Sequence, residues 1–183
     1  MASQKKERLR HILLENSILR GKFRLASGKE SDYYIDARLT TLDPEGVSLI
    51  ADIFLEEIRR DPLIKTVGGP TLGADPIVGA LLGASHRENY PLRGFLVRKQ
   101  EKDHGTGKLV EGNLSPGDNT AVIEDVVTSG GSVITAIDAV KSAGANVSKI
   151  LVIVDREEGA SAKFSDMGID FYAIFRITEL LRS

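Results

Sequence analysis

The hydrophobic positions at the start of the chain follow the spacing of a helix. Leu9, Ile12, Leu13 and Ile18 recur between charged neighbours, a pattern that predicts an amphipathic helix over the opening segment. Two short apolar segments follow, FRLAS and YYID, with a Ser-Gly pair after the first. This arrangement predicts two short strands or a hairpin.

The next apolar segment predicts a helix with a defined start and end. Asp43 can cap the helix, and Pro44 fits its first turn because the first turn needs no backbone donor from that residue. Apolar residues continue at helical spacing up to Ile58, and the following Asp61-Pro62 pair predicts that the helix has ended.

Strand-like and helix-like segments alternate through the rest of the chain. The strand-like segments are TVGG, GFLVRK, TAVIEDVV, ILVIVDRE and FYAIFRI. Continuous runs rich in Val and Ile, separated by helices, are typical of a parallel sheet that is buried on both faces. The sequence therefore predicts a single α/β domain over residues 1–183, with a small amino-terminal addition formed by residues 1–40.

One polar segment interrupts this alternation. Between Arg98 and Gly112 the sequence is RKQEKDHGTGKLVEG. A long polar insertion inside a compact domain is usually functional or disordered, which makes this segment the first candidate for a moving lid.

Composition limits the classes of function. The chain has 183 residues, of which 42% are hydrophobic and 27% charged, and its net charge is −2. This balance favours a soluble, cytoplasmic protein and gives no reason to expect a nucleic-acid or membrane partner. Because the chain contains no cysteine, disulfides, thiolate metal sites and cysteine nucleophiles are excluded.

The most informative strand end lies at residues 121–132. The apolar strand runs into Glu124 and Asp125, and a Thr-Ser-Gly-Gly-Ser segment opens the next helix two residues later. Backbone N–H groups at a helix start can bind phosphate, whereas paired carboxylates suit sugar hydroxyls or Mg²⁺. Each feature alone is also found as a solvated strand end or a helix cap, but the ordered combination favours a sugar-phosphate site.

Two further strand ends are candidates for anion binding. The glycine-rich turn at 68–74 could present N–H groups to a second anion, or could be a plain strand-to-helix turn. In the polar insertion, Arg98, Lys99, Lys102 and His104 could close over an anion, or could belong to a solvated surface loop.

Single residues at other positions permit more than one interpretation. Arg156 follows a strand end and could bind a carboxylate, or could form an ion pair with Glu157 or Glu158. Tyr33 and Tyr34 could stack on a flat ring or pack within the amino-terminal addition. The three histidines are scattered along the chain, so we expect no histidine-based metal site, and His11 and His86 are expected on helix surfaces.

The segment VIEDVVTSGGS resembles the 5-phosphoribosyl 1-diphosphate (PRPP) binding motif of type I phosphoribosyltransferases. The resemblance extends to the orotate-using members of that family. FRLASGKESDYYID resembles their amino-terminal substrate segment, RKQEKDHGTG their catalytic loop and VDREEG their base-binding strand end. It implies the family's fold, in which a central, mostly parallel sheet is flanked by helices and carries a small amino-terminal hood.

The resemblance also implies an activity and a set of site residues. The activity is transfer of ribosyl 5-phosphate from PRPP to orotate, giving orotidine 5′-monophosphate and diphosphate in pyrimidine biosynthesis. The implied catalytic residues are Lys102, Arg98 and Asp125, and the implied orotate contacts are Thr128, Arg156 and Tyr34. The implied PRPP-binding residues are Thr71, Leu72, Gly73, Arg98, Lys99, Lys102, His104, Glu124, Asp125, Val126, Val127, Thr128, Ser129, Gly130, Gly131 and Ser132.

Further expectations follow from the same resemblance. Mg²⁺ would be held mainly through PRPP, with Asp125 as the candidate protein ligand, and the loop at 98–112 would be shared between the subunits of a homodimer. Ala26 and Gly73 stand where family members often carry lysine, so anion binding should be weaker unless Lys29 or backbone amides compensate.

Two alternatives fit the PRPP motif. A purine-base phosphoribosyltransferase would share the motif but prefer an uncharged base, and Arg156 argues for a substrate with a carboxylate. A non-catalytic PRPP-binding regulator would need a DNA-binding region, for which this chain offers neither length nor basic charge.

Overall fold

The computed structural model describes residues 2–24, 30–100 and 109–182. Within these ranges the helices are α1 (Ala2–Ile12), α2 (Arg38–Thr41), α3 (Pro44–Ile58), α4 (Asp75–Arg87), α5 (Gly131–Ser142), α6 (Ala160–Asp166) and α7 (Ile177–Leu181). The strands are β1 (Ile18–Arg24), β2 (Glu30–Ile35), β3 (Ile64–Pro70), β4 (Arg93–Val97), β5 (Val110–Gly112), β6 (Asn119–Val127), β7 (Asn146–Asp155) and β8 (Asp170–Arg176).

The central sheet has the strand order β5-β4-β3-β6-β7-β8. Neighbouring strands from β4 to β8 pair in parallel, and β5 pairs antiparallel with β4. The predicted α/β fold with a mostly parallel sheet is therefore confirmed. The edge strand β5 was not predicted, and it lies at the end of the segment that the sequence pattern marked as a polar insertion.

Alternating residues of the sheet pack against helices on opposite faces. Ala121 and Ile123 of β6 belong to a core that includes residues of α1, α3 and α4. Val122, between them, belongs to a second core that includes residues of α5 and α6. All three side chains are fully buried, which explains why the strand is a continuous apolar run instead of an alternation of apolar and polar residues.

The amino-terminal segment forms the predicted helix and hairpin, but the helix ends before Ile18, which is the first residue of β1. A π-helical turn at Leu13–Ser17 connects α1 to β1, and β1 pairs antiparallel with β2. Leu13 and Ile35 are buried in the core shared with α3 and α4, and the backbone N–H of Asp36 donates to the carbonyl oxygen of Ser17 at 2.9 Å. The chain leaves β2 next to the carboxyl ends of the central strands.

The start of α3 confirms the predicted helix cap. Asp43 has an extended backbone, and its carboxylate accepts a hydrogen bond from the backbone N–H of Gly46 at 2.7 Å. Pro44 is the first helical residue. In the described part of the chain, every helix is too short or too polar to cross a bilayer.

Candidate active site

A cavity of about 630 Å³ opens where β3, β4 and β6 end. The segment after β2 and the start of α5 contribute the remaining walls. In open parallel sheets this edge is the usual place for a ligand. The lining residues are Tyr34, Ile35, Asp36, Ala37, Arg38, Pro70, Thr71, Leu72, Gly73, Val97, Arg98, Lys99, Glu124, Asp125, Val126, Ser132, Thr135 and Ala136.

Two adjacent carboxyl groups of β6 form one wall of the cavity. Glu124 is 6% exposed and accepts a hydrogen bond from the hydroxyl of Ser132 at 2.8 Å. Burial raises the pKa of Glu124 to about 8, and the negative charge of Asp125 adds to this rise. The Asp125 carboxylate accepts from the backbone N–H of Val126 at 2.7 Å. Glu124 therefore favours its protonated form at neutral pH.

The turn after β3 lies directly against these carboxyl groups. A Cβ atom added to Gly73 would be 2.8 Å from Oδ1 of Asp125 and closer still to Oε1 of Glu124. Position 73 therefore has no room for any side chain unless the acid pair moves. The turn offers a ligand its main-chain groups and the hydroxyl of Thr71.

The Thr-Ser-Gly-Gly-Ser segment connects β6 to α5. Gly130 has φ of 83°, a backbone conformation that favours glycine, and directly precedes the first helical residue, Gly131. N–H groups in the first turn of a helix have no acceptor within the helix, so they are available to an anion. Lys163 of α6 donates to the carbonyl oxygen of Ser129 at 2.8 Å, a supporting contact that the sequence pattern did not indicate.

Arg156 lies beside the end of β6, in an environment that fixes its side chain. Its backbone N–H donates to the carbonyl oxygen of Val127 at 2.9 Å. Its guanidinium lies over the ring of Tyr33, 5.2 Å from the ring centre, and Nε is 3.2 Å from a carboxylate oxygen of Glu158. The ion pair that the sequence offered as an alternative is therefore present, and it sits at the ligand-facing edge of the sheet.

The wall formed by the amino-terminal segment contains residues that the sequence pattern missed. Tyr34 was predicted there, and its ring centre lies 5.8 Å from that of Phe23. Asp36 and Arg38 were not predicted, yet both line the cavity. They form a two-point ion pair, with Nε and Nη2 of Arg38 donating to the two carboxylate oxygens of Asp36 at 2.8 and 2.9 Å.

The predicted site residues fall into three groups. The cavity lining contains Tyr34, Thr71, Leu72, Gly73, Arg98, Lys99, Glu124, Asp125, Val126 and Ser132. Six of the predicted residues do not line the cavity: Val127, Thr128, Ser129, Gly130, Gly131 and Arg156. Lys102 and His104 lie outside the described residues.

The described residues contain no cluster of three or more His, Asp or Glu side chains that could hold a metal ion alone. His11 is on the exposed surface of α1 beside Glu7, and His86 is exposed on α4, as expected. The carboxyl groups of Glu124 and Asp125 converge beside Gly73. Carboxylates suit Mg²⁺ when substrate oxygens complete its coordination, so Asp125, joined by Glu124 once it has lost its proton, fits a metal that arrives with a phosphorylated ligand.

Proteins with similar sequences include orotate phosphoribosyltransferases of several organisms. Orotate phosphoribosyltransferase of Pyrococcus abyssi (strain GE5 / Orsay) is 42% identical over 180 residues, covering 97% of this chain and 96% of its own length. Orotate phosphoribosyltransferase of Rhodopseudomonas palustris (strain ATCC BAA-98 / CGA009) is 41% identical over 186 residues, covering 99% and 98%. No protein-family model matches the chain.

Solved structures agree with the sequence relatives. Orotate phosphoribosyltransferase of Mycobacterium tuberculosis H37Rv in complex with PRPP has a TM-score of 0.80 and 32% identity, covering 96% of this chain and 98% of that chain. A phosphoribosyltransferase from Corynebacterium diphtheriae has a TM-score of 0.84 and 33% identity, covering 97% and 98%. Adenine phosphoribosyltransferase from Leishmania donovani, at 16% identity and a TM-score of 0.66, covers 95% and 82% and shares the fold.

Proposed function

This chain belongs to the orotate phosphoribosyltransferase family, and we propose that the cavity at the ends of β3, β4 and β6 is where it transfers ribosyl 5-phosphate from PRPP to orotate. The products are orotidine 5′-monophosphate and diphosphate. One observation supports this location above all: the acid pair Glu124–Asp125 and the turn at Thr71–Gly73 meet in a single cavity that Arg98 and Lys99 also line.

The residues around the cavity divide the binding of PRPP between them. Asp125 and Glu124 form hydrogen bonds with the ribose hydroxyls. The turn from Thr71 to Gly73 binds the diphosphate through its main chain. The segment from Thr128 to Ser132 binds the 5′-phosphate, because first-turn N–H groups attract anions. PRPP then lies across the edge of the sheet with its C1 atom facing the amino-terminal wall.

Orotate binds on the side of Tyr34, Thr128 and Arg156. The ring of Tyr34 stacks on the flat base, and the guanidinium of Arg156 pairs with the carboxylate of orotate. The base nitrogen attacks C1 of the ribose as the bond from C1 to the diphosphate oxygen breaks on the opposite face, and the proton that the nitrogen loses passes to the departing diphosphate or to solvent. Positive charge develops on the sugar and negative charge on the departing diphosphate, so Arg98, Lys99 and Lys102 stabilise the leaving group electrostatically.

We include Mg²⁺ in the proposal. Asp125 and, once deprotonated, Glu124 would hold it together with oxygens of PRPP, and the metal would neutralise part of the diphosphate charge. Activity should therefore be lost when a chelator removes divalent cations, and should return when Mg²⁺ is restored. Full activity in the presence of excess chelator would contradict this part of the proposal.

A panel of bases tests the function as a whole. The purified protein is incubated with PRPP and, in turn, orotate, uracil, hypoxanthine and adenine, and released diphosphate is measured. We expect release with orotate, because Arg156 favours a base with a carboxylate. Release with hypoxanthine or adenine instead would indicate a purine enzyme, and no release with any base would indicate a PRPP-binding regulator.

Lys102 provides a test of the implied catalytic loop. Lys102→Ala should lower kcat by about a hundredfold, similar to the loss of one donor to the transition state. Lys141→Ala is the matched control, because Lys141 lies in the last turn of α5, far from the amino end that borders the cavity. An unchanged kcat for Lys102→Ala would contradict the role of the loop.

We also propose that the enzyme is a homodimer in which the loop at 98–112 reaches the partner's site. A second cavity of about 300 Å³ supports a contact face, because apolar residues and glycines of α4, β4 and β5 line most of it.

Sedimentation analysis should give twice the monomer mass. Mixing inactive Lys102→Ala and Asp125→Ala subunits should restore about a quarter of the wild-type activity, since half of a random mixture is hybrid and each hybrid holds one intact site. No restored activity would contradict the sharing of the loop.

The proposal has two remaining parts. We propose that residues 1–183 form a single domain with residues 1–40 as its hood, which is supported by the position of residues 34–38 in the cavity wall. We also propose a cytoplasmic location. Limited proteolysis that releases an independently stable fragment would contradict the first, and cell fractionation tests the second.

A further inference from the structure

Arg38 is a cation of the cavity wall that has no role in the function proposed above. It is the first residue of α2, directly after the chain leaves β2, and it lines the same cavity as the diphosphate turn. Its side chain is 55% exposed. The hydrogen bonds and charge of Asp36 chiefly raise the pKa of Arg38, and the more distant Tyr34 and Asp125 contribute least.

Asp36 holds the guanidinium of Arg38 in one orientation. Two side-chain hydrogen bonds of 2.8 and 2.9 Å join the pair, and the backbone N–H of Arg38 also donates to Asp36 at 3.2 Å. The backbone of Asp36 is itself tied to Ser17. Such a two-point pair fixes the plane of the guanidinium. Within the described part of the chain Nη1 of Arg38 has no acceptor, so two of its N–H donors remain available.

The diphosphate turn supplies no cation of its own. Its residues are Thr71, Leu72 and Gly73, and a Cβ atom at position 73 would require the carboxyl groups of Glu124 and Asp125 to move. A polyanion at this turn therefore meets main-chain groups and the hydroxyl of Thr71. The cations that line the cavity, Arg98, Lys99 and Arg38, lie on its other walls.

We propose that Arg38 binds the diphosphate group of PRPP through Nη1, with Asp36 as the residue that positions it. The inference rests on the proposed function, because it takes PRPP to lie in this cavity with its diphosphate at the Thr71–Gly73 turn. A guanidinium fork suits phosphoryl oxygens in geometry and charge. Arg38 thereby adds positive charge from the amino-terminal wall of the cavity.

The test compares Arg38→Ala with Arg8→Ala. Arg8 makes the same kind of two-point ion pair, with Glu45 at 2.7 and 2.6 Å, and is similarly exposed, but it does not line the cavity. Steady-state kinetics give kcat and the KM values for PRPP and orotate, and product inhibition gives the affinity for diphosphate. Calorimetry measures PRPP binding without turnover, and thermal melting compares the stability of the variants.

Arg38→Ala should raise the KM for PRPP and the inhibition constant of diphosphate about tenfold, as expected for one lost hydrogen bond to a charged group. The KM for orotate should change less than twofold, and Arg8→Ala should match the wild type. Asp36→Asn should give a smaller rise in the KM for PRPP at unchanged kcat, because it loosens the guanidinium without removing it. Arg38→Lys should recover part of the PRPP affinity, since it keeps the charge but loses the fork.

Two results would overturn the inference. One is an unchanged inhibition constant of diphosphate in Arg38→Ala, whether or not the KM for orotate rises. The other is equal behaviour of Arg38→Ala and Arg8→Ala. If the wild type releases no diphosphate with orotate, the proposed function fails instead, and calorimetry with PRPP alone still decides whether Arg38 contributes to binding.

Discussion

Replacing Glu124 with Gln should change how the stability of the protein depends on pH. Glu124 is almost fully buried at the end of β6, and its Oε2 accepts a hydrogen bond from Ser132 at 2.8 Å. Gln has the same size and keeps an oxygen that can accept from Ser132, but it has no proton to lose. The substitution therefore isolates the ionisation of one carboxyl group.

The expected magnitude follows from the raised pKa. The pKa of Glu124 is about 8 in the folded protein, against 4.5 for an unperturbed side chain, with burial as the main cause and Asp125 as the second. Between these two values the folded state binds more protons than the unfolded state, so the free energy of unfolding falls as pH rises. Across the whole window the loss is about 5 kcal/mol. The contribution of Glu124 to the free energy of unfolding is therefore fully present below its unfolded-state pKa of 4.5, and it is lost once the pH rises past its folded-state pKa of about 8.

Urea unfolding of the wild type and Glu124→Gln at several pH values measures this difference. From about pH 5 to about pH 8 the wild type should lose several kcal/mol relative to the variant, because all other titrating groups are shared and cancel. Asp138→Asn controls for the loss of one negative charge, since Asp138 is exposed on α5. Parallel stability curves for the wild type and Glu124→Gln would refute the argument that Glu124 is protonated at neutral pH.

Three further substitutions give separate expectations. Gly73→Ala should lower kcat/KM for PRPP about a hundredfold, because its Cβ would displace the turn or Glu124 by about 1 Å. If the Gly73→Ala variant has the same kinetics as the wild type, the turn can adjust and this expectation is wrong. Lys149→Met should lower the free energy of urea unfolding by about 2 kcal/mol, because buried Glu57 loses a charged hydrogen-bond donor at 2.8 Å while Arg60 still pairs with its other oxygen. A neutral or stabilising change would contradict this. Asp43→Ala should lower the free energy of unfolding by about 1 kcal/mol, because α3 loses its cap. Asp43→Asn should lower it less, and equal losses in the two variants would argue against the cap.

The elements that the sequence predicted well are those whose interactions are local or repeated. The middle of β6 and of β7 is buried on both faces, so the runs at 121–123 and 150–154 are entirely apolar and are visible without knowing their neighbours. The start of α3 depends on Asp43 and Pro44, which act within one turn. The acid pair and the following hydroxyl-rich segment are contiguous, and their order along the chain carries the information.

The features that the sequence did not predict depend on contacts between distant segments. Strand β5 has only three residues and exists because β4 offers an unpaired edge. Lys163 reaches the carbonyl oxygen of Ser129 across 34 positions of the chain. Asp36 and Arg38 are an ordinary acidic and basic pair in the sequence, and only the packing of the hairpin against the central core brings them to the cavity.

Gly73 shows how one residue can be interpreted in two ways. From the sequence it is a position at which a lysine is missing, and weaker anion binding is the natural expectation. In the structure the same position lies against the carboxyl groups of Glu124 and Asp125, so a side chain there would require these groups to move. The turn in this chain therefore offers a ligand main-chain groups and the hydroxyl of Thr71. Under the proposed binding of PRPP, the positive charge beside its diphosphate comes from side chains on other walls of the cavity, and Arg38 would make the amino-terminal wall one of them.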